Sequence, residues 1–223
     1  MMSKEEKITK FKELVLLYNE KINLTSIINS FEFDVKHIED SLLPSKVIDF
    51  SSSKIMDIGS GAGFPGIPLS IYYPSSTFYL IEPTLKRCKF LEIVKKELDL
   101  DNVIIINQRA EDLIKDPSFK DFDFVVSRAV SDLRILLELS IPYLKVNGKL
   151  IAYKGSNAKE EIENSKNALK ELFSKVIYIQ EEELSIKGQI RNNIIIEKQK
   201  ETSKKYPRLY KDIKKRPLWK LLQ

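Results

Sequence analysis

Cysteine, histidine and tryptophan each occur once in the 223 residues. The lone thiol, Cys88, closes no internal disulfide, and one histidine with one cysteine supplies no cluster of metal-ligand spacing. Cys88 falls at a core-facing helical position, so it reads as a buried structural thiol, and the natural compartment is a reducing cytoplasm. No apolar run approaches the roughly 20 residues that span a bilayer. The charged start Met1-Met-Ser-Lys-Glu-Glu-Lys7 has no apolar stretch behind it, so no signal peptide is expected. No internal repeat is present. A chain of this length is expected to form one domain of ample core size with a small appendage, and a monomer is the default.

Glycine is also scarce, with seven in the chain, yet four of them stand between positions 59 and 66. In Lys54-Ile-Met-Asp57-Ile-Gly59-Ser-Gly61-Ala-Gly63-Phe64-Pro65-Gly66 a short strand carrying an acid runs into these glycines. The pattern lets backbone approach a bound ligand with no Cβ in the way, and points to something nucleotide-like. Two registers fit. Gly61-x-Gly63-x-x-Gly66 spells the dinucleotide fingerprint, in which a helix N-terminus receives a pyrophosphate. It leaves Gly59 and Ser60 unexplained and sets Pro65, which has no N–H, among the amides that would face phosphates. Asp57-x-Gly59-x-Gly61-x-Gly63 uses every residue. It is similar to the first motif of class I S-adenosylmethionine-dependent methyltransferases, whose ligand joins an amino acid to a nucleoside without phosphate.

A glycine loop alone is a weak signal, so its partners matter. The alternating segment Thr77-Phe-Tyr-Leu-Ile81 reads as a second strand ending at Glu82, an acid placed to bind two ribose hydroxyls. NAD enzymes share that feature, and the dipole of the following helix would also favour the charge. That helix, Thr84 to Leu98, carries Leu85, Cys88, Leu91, Val94 and Leu98 on one face. A third strand, Asn102 to Asn107, leads to Ala110-Glu111, where a methyltransferase would hold adenine. A fourth, Phe122 to Val126, ends in Ser127-Arg128-Ala129, and a fifth, Lys149 to Tyr153, ends in Lys154-Gly155. Strands alternating with helical segments predict a parallel sheet with crossovers, and the functional groups fall at carboxyl ends. A helix from about Asn157 to Phe173 is expected next. Then Val176 to Gln180 and Gln189 to Glu197 read as a hairpin turned at Lys187-Gly188, giving an antiparallel last strand.

Charge is unevenly placed. The net +5 hides ten Lys/Arg against two acids from residue 198 to 223, so basicity is concentrated at the end. Such a segment attracts polyanions, and Tyr206, Tyr210 and Trp219 interleave as stacking surfaces. The bland alternative is a solvated tail with its aromatics packed back on the domain. At the front, Ser3-x-x-Glu6 reads as a capping box ahead of Ile8, Phe11, Leu14, Val15 and Tyr18 at helical spacing. A second helix, about Phe31 to Leu42, turns Val35, Ile38 and Leu42 inward, with His37, Asp40 and Ser41 beside that stripe. The expected layout is a helical cap over residues 1–50, an α/β Rossmann-like domain over 51–200, and a basic tail over 201–223.

Asn23-Leu-Thr25, His37-Ile-x-Asp40-Ser41, Asp57-Ile-Gly-Ser-Gly-Ala-Gly-Phe-Pro-Gly-Ile-Pro68, Lys86-Arg87-x-x-Phe90-Leu91, Ser127-Arg128-Ala129, Lys154-Gly155 and Lys204-Lys-Tyr-Pro-Arg208 stand in the order found in the RsmG (GidB) family. The sequence resembles that family over essentially its whole length. The resemblance implies a class I methyltransferase fold that uses S-adenosyl-L-methionine to methylate a guanine N7 in small-subunit ribosomal RNA. It also implies cofactor contacts from Gly59, Phe64, Ala110, Glu111 and Arg128, beside the backbone of Gly61 and Gly63 and the acid Glu82. One departure lies in the tail: where the family has a Pro-Gly-x-Pro turn, Tyr210, Lys211 and Ile213 stand.

Absences agree with an N7 acceptor. A pyrimidine carbon usually needs a cysteine nucleophile, and Cys88 is on the wrong element. An exocyclic amine commonly uses Asn/Asp-Pro-Pro-aromatic after the fourth strand, where this chain has Ser127-Arg128-Ala129-Val130. Guanine N7 offers an in-plane lone pair and requires no general base, so catalysis reduces to alignment and exclusion of water. Arg128 is the first candidate to span cofactor and substrate, binding the methionine carboxylate or donating to guanine O6. His37 and Asp40 are expected to shape the cap or touch RNA, with Lys154, Lys204, Lys205 and Arg208 as further RNA contacts. An NAD(P) oxidoreductase or a non-catalytic RNA-binding module with a cofactor cleft are the alternatives.

Overall fold

The computed structural model describes residues 2–218. Helix α1 (Lys4–Ile22) starts at the expected capping box, with the Glu6 amide donating to Ser3 Oγ at 3.1 Å and the Ser3 amide to Glu6 Oε2 at 2.7 Å. It buries Phe11, Leu14 and Val15. The second cap helix is less regular than its periodicity predicts: α2 (Ser30–Phe33) passes through a π-helical turn (Asp34–Glu39) into α3 (Asp40–Leu42). Around the wide turn two carbonyls take side-chain donors, that of Lys36 from Arg128 and that of His37 from Ser41 Oγ. Such insertions concentrate at functional sites.

The alternating domain follows as β1 (Lys54–Ile58), α4 (Gly66–Tyr72), β2 (Thr77–Ile81), α5 (Leu85–Glu97), β3 (Val103–Ile106), α6 (Ala110–Leu113), β4 (Phe122–Arg128), α7 (Leu133–Ser140), β5 (Leu144–Lys154), α8 (Ala158–Asn164), α9 (Lys166–Glu171), β6 (Ser174–Glu183), β7 (Ile190–Lys198) and α10 (Tyr210–Lys215). The seven strands form one sheet in the order β3-β2-β1-β4-β5-β7-β6. β1 to β5 pair in parallel, whereas β7 runs antiparallel to both its neighbours. This strand order reverses between β1 and β4, and at such a switch point open α/β sheets bind ligands beyond the carboxyl ends.

Side chains on the two faces of the sheet enter two cores. Ile55 and Phe78 join Phe11, Ile67 and Leu91 under α1, α4 and α5, while Met56 and Ile81 join Leu133, Leu137 and Tyr143 under α7. Each fully buried apolar side chain of this size contributes roughly 1.5–3 kcal/mol. Two helical expectations are corrected. Leu85, at the first position of α5, is 56% exposed because it precedes the turn that meets the core. The helix expected over 157–173 breaks at Ser165, whose hydroxyl donates to the Glu161 carbonyl at 2.6 Å and separates α8 from α9. The tail does not trail in solvent: Tyr206 and Ile213 are buried and α10 packs on α7. Trp219 lies outside the described residues.

Candidate active site

The loop after β1 is held from behind. Glu82, 2% exposed at the end of β2, accepts from the Gly61 amide through Oε2 at 3.0 Å and from the Thr84 amide through Oε1 at 2.8 Å. Each oxygen keeps a second lone pair for another donor. Gly59 has φ +72° and an added Cβ would stand 2.5 Å from Val130 Cγ2; Gly61 has φ +57° and faces space open to within 3.9 Å. Gly63 instead packs down on Ile67 and Leu91, so its lack of a side chain serves the seat of the loop on α4 and α5. Asp57 is fully buried, accepts from the Gly66 amide at 2.9 Å through Oδ2, and leaves Oδ1 unpaired. Burial pushes its pKa up to about 7. Ser60 Oγ is likewise buried with no partner.

A small pocket of about 130 Å³ opens between these strand ends, lined among others by Gly59, Ile81, Ala110, Glu111, Val130 and Tyr210. A larger cleft of about 750 Å³ lies on the other side of Val130, between the cap and the ends of β4, β5 and β7. Its lining includes His37, Asp40, Arg128, Ser131, Lys154 and Arg191. Val130 borders both chambers. The approach to it runs through Ala129, a non-glycine residue at φ +58°. Such backbone is sparsely populated and concentrates at functional sites.

Arg128 ties the sheet to the cap. Its Nη1 donates to the Lys36 carbonyl at 3.1 Å and to Asp40 Oδ2 at 2.9 Å, and its Nη2 donates to His37 Nδ1 at 3.1 Å. A guanidinium only donates, so Nδ1 must accept and the imidazole proton sits on Nε2, which donates to Thr25 Oγ1 at 2.7 Å. Burial, then Arg128, then Arg191 hold the His37 pKa down to about 3, so the ring is neutral. Phe64 completes the knot, stacked on His37 at 4.4 Å with the Arg128 guanidinium 5.0 Å from its centroid. Asp40, 1% exposed, is shared: Arg191 Nε donates to its Oδ1 at 3.1 Å.

The structure therefore gathers Gly59, Ala110 and Glu111 around the small pocket, and His37, Asp40, Arg128 and Lys154 around the larger cleft, while Gly61 and Glu82, bonded to each other, line neither. Phe64, expected at the cofactor, is only 6% exposed and packs into the cap with Phe11, Phe33 and His37. Lys154 is committed to the Ser131 carbonyl and to Glu161, both at 2.7 Å. Arg208 is committed inside the fold, its amide, Nε and Nη2 all donating to the fully buried carboxylate of Glu138 at 3.0, 2.7 and 2.6 Å. Lys205 pairs with Glu171 at 2.9 Å, while Lys204 is exposed with no ion pair among the described residues. Sequence reasoning missed Thr25 as the histidine's partner, Val130 as the shared wall, and Arg191 as the second cation on Asp40. Thr25 lay within a quoted motif, whereas nothing local marks Val130 or Arg191.

The 3-2-1-4-5-7-6 sheet with its one antiparallel strand, its glycine loop and its acid after β2 define a class I methyltransferase fold. Solved structures of that class superpose on the chain. They include M. jannaschii TYW2 in complex with AdoMet, at TM-score 0.59 and 20% identity over 78% of this chain and 79% of that one. Another is a SAM-dependent O-methyltransferase from Thermotoga maritima, at TM-score 0.57 and 16% identity over 85% and 72%. Residues 4–205 match the GidB family, described as rRNA small subunit methyltransferase G, and the chain belongs to that family. Ribosomal RNA small subunit methyltransferase G of Streptococcus gordonii is 45% identical over 220 residues, covering 96% of this chain and 91% of the relative. The protein of that name from Streptococcus sanguinis matches with the same identity and coverage.

Proposed function

We propose that the chain transfers a methyl group from S-adenosylmethionine to N7 of one guanine in small-subunit ribosomal RNA. The observation that carries this reading is that two chambers share Val130 as a wall, a small one beside Gly59 at the start of the glycine loop and a large one under the cap, in a chain of this family. The residues fit the cofactor. Gly61 leaves open space where a Cβ would project, Ser60 Oγ is a buried hydroxyl without a partner, and Glu82 keeps lone pairs for two ribose hydroxyls. Gly59, Ala110 and Glu111 would line the adenine. When bound, the cofactor supplies an electrophilic methyl on a sulfonium.

The protein groups around the acceptor cleft suit a substrate that has no proton to lose. His37 is neutral with both ring nitrogens engaged, and both oxygens of Asp40 are held by arginines. Arg128 uses three of its five N–H groups within the protein, leaving two for guanine O6 or the methionine carboxylate. The cap then acts by orienting that guanidinium and excluding water, which raises the fraction of complexes at attack distance. Lys204 and the other exposed lysines of the tail supply phosphate attraction.

The test is to incubate the protein with methyl-labelled S-adenosylmethionine and small subunits from a strain lacking this activity, then map the label. A single labelled guanine N7, lost in Arg128→Ala, is the expected result. Cofactor binding with no label on subunits or on naked RNA would overturn it.

A further inference from the structure

We propose that the C-terminal segment is a strap that completes the adenine pocket, with Tyr210 as the residue that packs against the base; this rests on the cofactor reading above. The pocket's lining falls into two groups. Ile58 and Gly59, Ile81 and Pro83, Arg109 to Glu111, and Val130 follow or end four successive parallel strands. Leu139, on α7, and Tyr210, at the start of α10, come from outside the sheet. Of these lining residues only Tyr210 lies beyond the last strand in sequence, and it is the only aromatic one.

The strap is fixed where it would need to be. Arg208, two residues before Tyr210, grips Glu138 through three donors, and Glu138 immediately precedes Leu139. The latch and the pocket wall are thus neighbours on both partners. Burying a carboxylate completely is expensive unless it is fully paired, so Glu138 is in place to receive Arg208. Arg208 Nη2 also donates to the Arg216 carbonyl at 3.0 Å, closing the segment back over α10, and Ile213, fully buried, seats that helix on the domain. A flat aromatic side chain delivered to a purine pocket covers a base without reading its edge, which suits a cofactor-holding residue.

The experiment is calorimetric titration of the full-length protein with S-adenosylhomocysteine and, separately, with adenosine. Tyr210→Ala is expected to weaken both by about tenfold, a typical loss for one stacked base. Tyr210→Phe is expected to retain wild-type affinity for both. If Tyr210→Ala melts early, Tyr210→Leu keeps volume without the flat face and is expected to show the same loss. Unchanged affinity in a folded Ala or Leu variant overturns the strap, as does a loss confined to S-adenosylhomocysteine, which would place Tyr210 at the amino-acid end. A wild-type protein that binds neither probe overturns the cofactor reading itself.

Discussion

Arg128 Nη1 lies 2.9 Å from Asp40 Oδ2, joining the end of β4 to the cap across 88 positions of sequence. Arg191 reaches the other oxygen of the same carboxylate from β7, so one buried acid is shared by two cations and the cluster keeps a net positive charge. Removing the acid is therefore expected to cost more than removing either base. Asp40→Ala should lose about 3 kcal/mol in urea unfolding, because two partly buried guanidinium groups lose the carboxylate they share. Arg128→Ala and Arg191→Ala, which each leave Asp40 one partner, should lose clearly less. Equal losses in all three would contradict the shared-acid arrangement.

Half-buried His37 and fully buried Asp57 titrate with opposite sign. The folded-state pKa of His37, about 3, lies below its ordinary 6.5, so its contribution is intact above about pH 6.5 and falls as pH drops towards 3. That of Asp57, about 7, lies above its ordinary 3.8, so its contribution is full below pH 3.8 and is lost as pH rises to 7. The two slopes offset one another between these limits. Urea unfolding from pH 4.5 to 6.5, a window of about two units between the ordinary pKa values, should tilt in opposite directions for two variants. Relative to wild type, His37→Asn should gain stability towards acid and Asp57→Asn towards base.

The glycine loop separates fold from binding. Gly59→Ala would press a methyl group into Val130 at 2.5 Å on a left-handed backbone, so it should lower both stability and S-adenosylhomocysteine affinity. Gly61→Ala meets nothing nearer than 3.9 Å and should cost about 1 kcal/mol of backbone strain, while its methyl group obstructs the ligand. Melting temperature and calorimetric affinity measured together distinguish the two. A Gly61→Ala protein that binds normally would move the ligand away from the loop.

The basic tail divides by what each cation touches. Lys204→Ala should leave the urea midpoint unchanged, weaken ribosomal RNA binding, and reduce the salt slope of that binding by about 1. Arg208→Ala strands the buried carboxylate of Glu138 and should destabilise by about 3 kcal/mol. Filter binding across a salt series, read beside unfolding curves, checks both.

How far the sequence speaks is visible in particular residues. Strands β1 to β5 announce themselves through apolar runs closed by Glu82, Arg128 and Lys154, because each must be buried on both faces and end at the ligand edge. The antiparallel hairpin was legible from Lys187-Gly188. Long-range polar pairing was not: nothing near Arg191 marks it as a partner for Asp40, 151 residues away. The π-helical turn was hidden for a related reason. The Arg128 guanidinium that its Lys36 carbonyl accepts from lies 92 positions further on. Charge counting found the tail but not its docking, since the same Arg208 serves a phosphate or a buried glutamate equally well on paper.

The insertion of β7 between β5 and β6 sets an order of assembly. β6 is synthesised first, yet pairs only with β7, and β5 has its outer edge open until β7 fills it. On the ribosome, the cap at the start of the chain likewise waits for residue 191 before Asp40 has both cations. An N-terminal fragment that stops before residue 190 would carry the whole glycine loop and Arg128, but with two unpaired strand edges it is a template for aggregation rather than a smaller enzyme. The first helix can pack on α4 and α5 early, but the carboxylate of Asp40 gains its second cation only when nearly the full length has emerged.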